Sequence, residues 1–310
     1  MKFSIIMPVH NKAPHLYRSV KSVLEQSYSD FEFIIIDDAS SDNSYEILSG
    51  FADERIKIFS RDTPGPGGYA ARNLGIDKSS SEWISFLDAD DEWESTYLEC
   101  VEQAIRQFPT YEIISTNWDS IYAESTVINS YFEKIVDKYV DFTLTDFFSQ
   151  NYFIWTSAVT LKKSLIKKVG MFPEGRCKRG GDIDAWIRCL SASEGNVWIN
   201  EKLAHYHRET VNRVTDNTRN PVGEICSVRS IEYIRQQSKD VRLLKAIDFF
   251  LARAIYNKMI IDYRRGAKPA TSDLCLIDNK TKRFLTWVKY LLRIFLFEKK
   301  GQVFRNSTES

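Results

Sequence analysis

The chain has 310 residues, 43% of them apolar, which suffices for one large α/β core with a helical annex and excludes a disordered chain. Lysine plus arginine and aspartate plus glutamate stand at 42 each, so the formal net charge of +0 speaks against a nucleic-acid partner and makes any charge-driven function local. The five cysteines, Cys100, Cys177, Cys189, Cys226 and Cys275, match neither a zinc spacing nor a disulfide framework; they read as structural or incidental in a reducing cytosol.

Phe3 to Val9 is rich in branched and aromatic residues and predicts a first strand rather than a signal peptide, with His10 and Asn11 at its C-terminal rim. A helix follows from Pro14, with Leu16, Val20, Val23 and Leu24 on one face and Asn11 as its cap. Phe31 to Ile36, apolar apart from Glu32, predicts a second strand closing on Asp37 and Asp38, and a helix carrying Tyr45, Leu48 and Phe51 comes next. Ile56 to Phe59 is a third strand, and after the loop from Ser60 to Gly68 a helix starts near Tyr69 and includes Arg72. Trp83 to Leu87 is a fourth strand that runs straight into Asp88-Ala89-Asp90-Asp91. Strands alternating with helices in this way predict a mostly parallel sheet covered on both faces.

Ser95 is placed to cap a helix over Tyr97, Leu98, Val101, Ile105 and Phe108, and Ile113 to Thr116 is a further strand. Alternation from Val127 to Phe132 predicts antiparallel strands, Ala158 to Leu161 another strand, and Gly170 to Pro173 a turn. Gly180-Gly181-Asp182 opens a helix with Ile183, Trp186, Ile187 and Leu190 inward, and short strands are expected at Val197 to Ile199 and Leu203 to Tyr206. With no linker in this span, residues 1–215 form one domain and residues 216–310 a helical annex, with helices over Val222 to Gln236 and Leu243 to Arg264. In the last segment Phe284, Val288, Leu291, Leu292, Phe295 and Leu296 make an apolar face, while Lys282, Arg283, Lys289, Arg293, Lys299 and Lys300 surround it. Such a basic amphipathic helix suits either an anionic membrane surface or packing on the protein with solvated lysines. No window of about 18 apolar residues predicts a spanning helix, so the chain is expected to be soluble or peripheral.

The chemistry-bearing residues are acidic and stand where predicted elements meet. Three carboxylates within four residues at Asp88, Asp90 and Asp91 repel one another unless a positive group sits among them, and a hard divalent cation carrying phosphate oxygens is the simplest such group. A lone Asp182 at a helix start would be an N-cap; with two glycines before it and Asp184 beside it, it can also be a carboxylate reachable from a cleft. Gly65 to Ala70 satisfies the dinucleotide pattern G-x-G-x-x-[GA], which keeps a nicotinamide-dependent oxidoreductase as an alternative. Against it, the preceding strand ends too early for a tight turn, and the aspartates at 37, 38 and 88–91 are left without a task.

In their order along the chain, FSIIMPVHN (Phe3 to Asn11), IDDASSD (Ile36 to Asp42), ARNLG (Ala71 to Gly75), FLDADD (Phe86 to Asp91) and GDIDAWIR (Gly181 to Arg188) resemble the motifs of the family 2 glycosyltransferases with the GT-A fold. The resemblance covers about 210 residues and leaves the annex outside it. It implies an α/β fold of the nucleotide-diphospho-sugar transferase type, with a mixed, mostly parallel sheet, and an inverting, metal-dependent transfer of a hexose from a UDP-sugar. It places the nucleotide-sugar against Pro8, His10, Asn11, Asp38, Arg72, Asp88 and Ala89, a Mn2+ or Mg2+ ion on Asp90 with Asp91 and His207 as further candidates, and the catalytic base at Asp182. UDP-glucose or UDP-galactose is the expected donor, and an N-acetylhexosamine on a polyprenyl diphosphate carrier, or an oligosaccharide, the expected acceptor. The setting it implies is O-antigen or capsule-type polysaccharide synthesis at the cytoplasmic side of the inner membrane, forming a β-glycosidic bond. Two departures stand out: His10 replaces the usual tyrosine, and Gly181 replaces the acidic residue that usually precedes the base. The second leaves open a module that binds a nucleotide-sugar without turning it over.

Overall fold

The computed structural model describes residues 2–122, 125–128, 136–150, 154–177, 180–211, 225–264, 266, 268 and 271–306, with residues 127, 128 and 295–306 described by backbone alone. The strands are β1 (Phe3–Val9), β2 (Phe31–Asp37), β3 (Ile56–Ser60), β4 (Trp83–Phe86), β5 (Glu92–Trp93), β6 (Ile113–Tyr122), β7 (Ser125–Ile128), β8 (Tyr139–Asp141), β9 (Val159–Lys162) and β10 (Asn196–His207). They form one mixed sheet in the order β3-β2-β1-β4-β9-β6-β10-β5, with β7 added to β6 and β8 to β10. The β3-β2-β1-β4 half is parallel, so β1, β2 and β4 all deliver their C-terminal ends to the same rim. β9 then runs antiparallel to both β4 and β6.

Helices α1 (Ala13–Leu24), α2 (Ser44–Ser49), α3 (Tyr69–Lys78), α4 (Tyr97–Gln107), α5 (Leu144–Gln150), α6 (Lys163–Lys168) and α7 (Gly181–Ala192) flank the sheet. α8 (Cys226–Gln237), α9 (Val241–Arg264) and α10 (Lys280–Asn306) make the annex. The two faces of β1 build two cores, because successive strand residues point to opposite sides. Phe3, Ile5, Met7 and Val9 join Leu16, Val20 and Val23 of α1 and Leu98, Val101 and Ile105 of α4. Ile6 points the other way, into a core shared with Ile76 of α3 and Trp186 of α7. That second core continues into the annex through Val228, Ile231, Phe250, Leu251 and Ile255. Gly75 lets α3 settle onto the sheet, since a Cβ there would stand 2.4 Å from Ile6 Cγ2. In α10, Thr286 and Tyr290 are buried while Phe284, Leu285, Leu291 and Leu292 are exposed. No helix among the described residues is long and apolar enough to cross a membrane.

Several sequence expectations are corrected. Asn11 does not cap α1: Lys12 holds that position, and Asn11 adopts φ 53° so that its Oδ1 can accept the Ser41 and Asp42 backbone N–H groups at 2.7 and 3.2 Å. Thr96, not Ser95, precedes α4 at the cap position, with no side-chain capping bond. Likewise Gly180 is the cap residue of α7, so Asp182 lies in the first turn rather than at the cap. The strand starting at Ile113 continues to Tyr122, past the polar residues Asn117, Asp119 and Ser120, because β7 and β10 satisfy its backbone on both sides. The two short strands near residues 197 and 206 are one, β10, with an irregular register at Lys202. β5, β8, α5 and α6 have no counterpart in the sequence expectations, being two, three, seven and six residues long. Cys177 and Cys226 are not incidental: the fold brings their Cα atoms to 5.6 Å and they form a disulfide across a sequence separation of 49 that carries no motif. Phe132, Val222, Phe295, Leu296, Lys299 and Lys300, which entered the strand, annex-helix and amphipathic readings, lie outside the described residues or side chains.

Candidate active site

Above the C-terminal ends of β1, β2 and β4 lies a cavity of about 480 Å³. Pro8, His10, Asp38, Arg72, Asp88, Ala89, Asp90, Asp91 and Asp182 all line it, although they come from five separate stretches of sequence. Asn11 and His207 do not line it. Asn11 braces the loop after β2, as described above, and His207 Nε2 is 3.0 Å from Glu92 Oε2.

The end of the cavity over β2 is built around Asp38, which is 2% exposed. One of its carboxylate oxygens accepts from the Arg61 guanidinium, the other from the Gly65 backbone N–H at 3.1 Å. The glycine run that resembles a dinucleotide turn is thus a wall of this same cavity, a 3-10 turn at Pro66–Gly68 leading into α3. His10 Nδ1 lies 2.8 Å from the Asp38 carbonyl oxygen, so the ring stays exposed at the mouth. Arg72, one turn into α3, donates to Asp88 and to the Gly67 carbonyl, the latter at 2.9 Å. This fixes a buried cation at the middle of the cavity, with its charge partly balanced by Asp88.

The carboxylate loop after β4 separates into three environments. Asp90 accepts from Lys12 Nζ at 2.6 Å and from Thr210 Oγ1 at 2.7 Å. Asp91 is 1% exposed; its Oδ2 accepts from Ser157 Oγ at 2.6 Å, and its Oδ1 is buried without a hydrogen-bond partner. Burial, and then the charges of Asp90 and Asp88, push the Asp91 carboxyl well above the usual carboxylate range. Three carboxylates this close, with one orphaned oxygen, form a site that favours added positive charge. Among the described residues no group of three His, Cys, Asp or Glu side chains is arranged to hold a metal. The donor set therefore fits an ion that arrives with oxygen ligands of its own, as Mg2+ does on a diphosphate. Lys12, which the sequence reading passed over although it follows Asn11 directly, occupies that carboxylate in this structure.

Asp182 faces the same cavity from α7. Burial pushes its carboxyl up, opposed by the Ile183 backbone N–H and the Arg72 charge. Asp184 belongs to the annex contact instead: it is 2% exposed, bonds Arg188 at 2.8 Å and accepts from Ser230 of α8. Gly181 is required where it stands. Its N–H donates to the Tyr69 hydroxyl at 2.9 Å, and a Cβ would lie 2.5 Å from Tyr69 Cζ and 2.8 Å from Pro173 Cγ. The Tyr69 ring fills the space of the missing acidic neighbour, and burial pushes its phenol up to about 12.

The sequence profile described as "Glycosyl transferase family 2" matches residues 4–167. An uncharacterized glycosyltransferase of Haemophilus influenzae is 46% identical over 90 residues, 28% of this chain and 36% of that protein. A relative from Escherichia coli, named UDP-Glc:alpha-D-GlcNAc-diphosphoundecaprenol beta-1,3-glucosyltransferase WfgD, is 36% identical over 120 residues, 37% of this chain and 47% of that protein. The matches thus span less than half the length of either relative. Among solved structures, S. aureus TarS 1-349 in complex with UDP-GlcNAc superposes with a TM-score of 0.74 at 15% identity, over 89% of this chain and 82% of that one. At that identity the likeness shows the fold.

Proposed function

The chain belongs to glycosyl transferase family 2, and on that premise we propose that it transfers a hexose from a UDP-sugar to a sugar hydroxyl in a single inverting displacement. The observation that carries this reading is the convergence of Asp38, Arg72, Asp88, Asp90 and Asp182 on one cavity. Asp38, held by Arg61 and the Gly65 N–H, presents a carboxylate for the nucleoside, with Pro8 and His10 beside it. Arg72 supplies positive charge where the diphosphate lies. A Mn2+ or Mg2+ ion, when bound, would be held by Asp90 and would neutralise charge on the diphosphate.

Asp182 takes the proton of the acceptor hydroxyl as its oxygen attacks the anomeric carbon, and the bond from that carbon to the UDP oxygen breaks. The raised affinity of Asp182 for a proton suits a base that must accept one at neutral pH. Arg72 stabilises the charge that develops on the leaving group in a buried setting, where a fixed cation acts more strongly than in water. No covalent sugar intermediate is needed, so one base suffices.

The name of the Escherichia coli relative supports UDP-glucose as donor and a GlcNAc-diphosphate lipid as acceptor, with UDP-galactose as the other donor to test. The exposed Phe284, Leu285, Leu291 and Leu292 of α10, beside Lys289 and Arg293, support contact with an anionic membrane that holds such an acceptor. On this reading the enzyme works at the cytoplasmic side of the inner membrane, in polysaccharide synthesis.

The test is UDP release from a panel of UDP-sugars with Mn2+, with and without EDTA, for the wild-type chain and Asp182→Asn. Release from one donor is expected, lost with EDTA and reduced about 10²–10⁴-fold in Asp182→Asn, with UDP affinity changed less than about twofold. Loss of UDP binding in Asp182→Asn would remove the base assignment, and metal-independent release would remove the ion.

A further inference from the structure

On the far side of the carboxylate loop the cavity changes character. Pro8 and Asp38, at one end, come from β1 and β2; the opposite end is formed beyond β4, over β9, β6 and β10. There the lining residues are Trp155, just before the 3-10 turn Thr156–Ala158 that enters β9, and Tyr206, near the end of β10. Trp118 of β6 stands behind them, with ring centroids 5.0 Å from Trp155 and 6.3 Å from Tyr206, while Trp155 and Tyr206 are 5.0 Å apart. The Arg208 guanidinium lies 4.5 Å over the Tyr206 ring. None of the three rings is fully buried.

The turn that follows Trp155 is bonded to the carboxylate loop. Ser157 Oγ accepts the Asp88 N–H at 3.0 Å and donates to Asp91 Oδ2 at 2.6 Å, and the Ser157 carbonyl accepts from Trp93 Nε1 at 2.6 Å. The turn carrying Trp155 is therefore keyed to the same loop that offers Asp88 and Asp90. A large aromatic side chain left partly exposed in a cavity wall is a surface for a flat, apolar face. A pyranose ring offers such a face in its C–H groups, with hydroxyls around the edge.

We propose that Trp155 and Tyr206, backed by Trp118, form the acceptor subsite and stack a pyranose ring beside the position of transfer; this rests on the glycosyltransferase reading above. The subsite reads the acceptor sugar, at the opposite end from the nucleoside.

The probes are the p-nitrophenyl glycosides of glucose, galactose, mannose and GlcNAc, together with a GlcNAc-α-diphosphate carrying a short alkyl chain. UDP release from the preferred donor is followed with each, using the full chain as wild type, Trp155→Ala, Trp155→Phe and Tyr206→Ala. At least one probe is expected to accelerate release. Trp155→Ala should raise its KM at least about tenfold, equivalent to about 1.4 kcal/mol, with the Kd for UDP changing less than about twofold, and Trp155→Phe should restore most of the loss. Should Trp155→Ala fail to melt cooperatively, Tyr206→Ala reads the same surface. The proposal is overturned if no probe accelerates release from a donor the wild type does hydrolyse, if both alanine variants leave the probe KM unchanged, or if they weaken UDP as much as the probe. A wild-type chain that neither binds UDP nor releases it from any donor would instead defeat the glycosyltransferase reading itself.

Discussion

Glu32 offers a stability test that can be worked from the structure. It is one of two charged residues in β2, Asp37 ending the strand, and at 2% exposed it ties three neighbouring segments together. Its Oε1 accepts from Ser4 Oγ of β1 at 2.6 Å and from Ser80 N and Oγ at 2.6 and 2.7 Å, and its Oε2 from Lys57 Nζ of β3 at 2.7 Å. Burial alone would raise its proton affinity, but these hydrogen bonds outweigh burial and hold the carboxyl down to about 2, against an ordinary 4.5. At 1.36 kcal/mol per pH unit, that difference gives the ionised carboxylate on the order of 3 kcal/mol of folding stability. The Lys57 share is screened, since that side chain is 48% exposed, so the serine and backbone bonds carry most of it. The folded-state value is depressed, so the contribution is fully present above about 4.5 and fades as pH falls toward 2. Urea unfolding of wild type and Glu32→Gln between pH 6 and 2 reads it directly. The wild type should lead by about 3 kcal/mol at pH 6, and the lead should shrink steadily below pH 4.5. Equal stability at pH 6, or a gap that does not move with pH, would refute the account.

Three further outcomes are expected. The acid limb of the transfer rate against pH should fall with unit slope through a value above 3.8, because Asp182 must be ionised to act and burial raises its proton affinity; the residual rate of Asp182→Asn should lack that limb. Gly75→Ala should cost about 1–3 kcal/mol in thermal unfolding through its clash with Ile6, and Ile6→Ala in the same chain should relieve part of it. Reduction of the Cys177–Cys226 bridge, or Cys177→Ser, should lower stability by up to about 4 kcal/mol from the loop of 49 residues it closes, read as a drop in Tm that dithiothreitol reproduces in the wild type and not in the variant.

How much of this could be read from the chain depends on whether the causes are local. β1, β2 and β4 are legible as strands because both their faces are buried, which selects unbroken branched and aromatic runs. Asp38, Asp88, Asp90 and Asp182 are legible as candidates because each follows or opens an element, the parallel half of the sheet collecting the ends of β2 and β4 at one rim, whereas Arg72 is legible only through the resemblance of its motif. Partners supplied by distant segments are not. Arg61 reaches Asp38 from a loop, Ser157 reaches Asp91 across 66 positions, and Thr210 reaches Asp90 across 120. The polar second half of β6 could not be read as strand, since Asp119 is stabilised there by His205 Nδ1 at 2.6 Å on the neighbouring β10. Asn11 reads as a helix cap by type, yet the positive φ it tolerates assigns it to the facing loop.

The Tyr69–Gly181 contact carries a consequence for how this sequence can vary. A ring at position 69 and a side chain at position 181 exclude each other, because both claim the same few cubic ångströms. Substitutions at the two positions are therefore coupled: any residue larger than glycine at 181 demands a smaller one at 69, and neither change is neutral alone. Homologues should sort into two groups, one with a large ring and glycine, the other with a small residue and an acid. A chain caught between them would have its first turn of α7 displaced, and Asp182 with it.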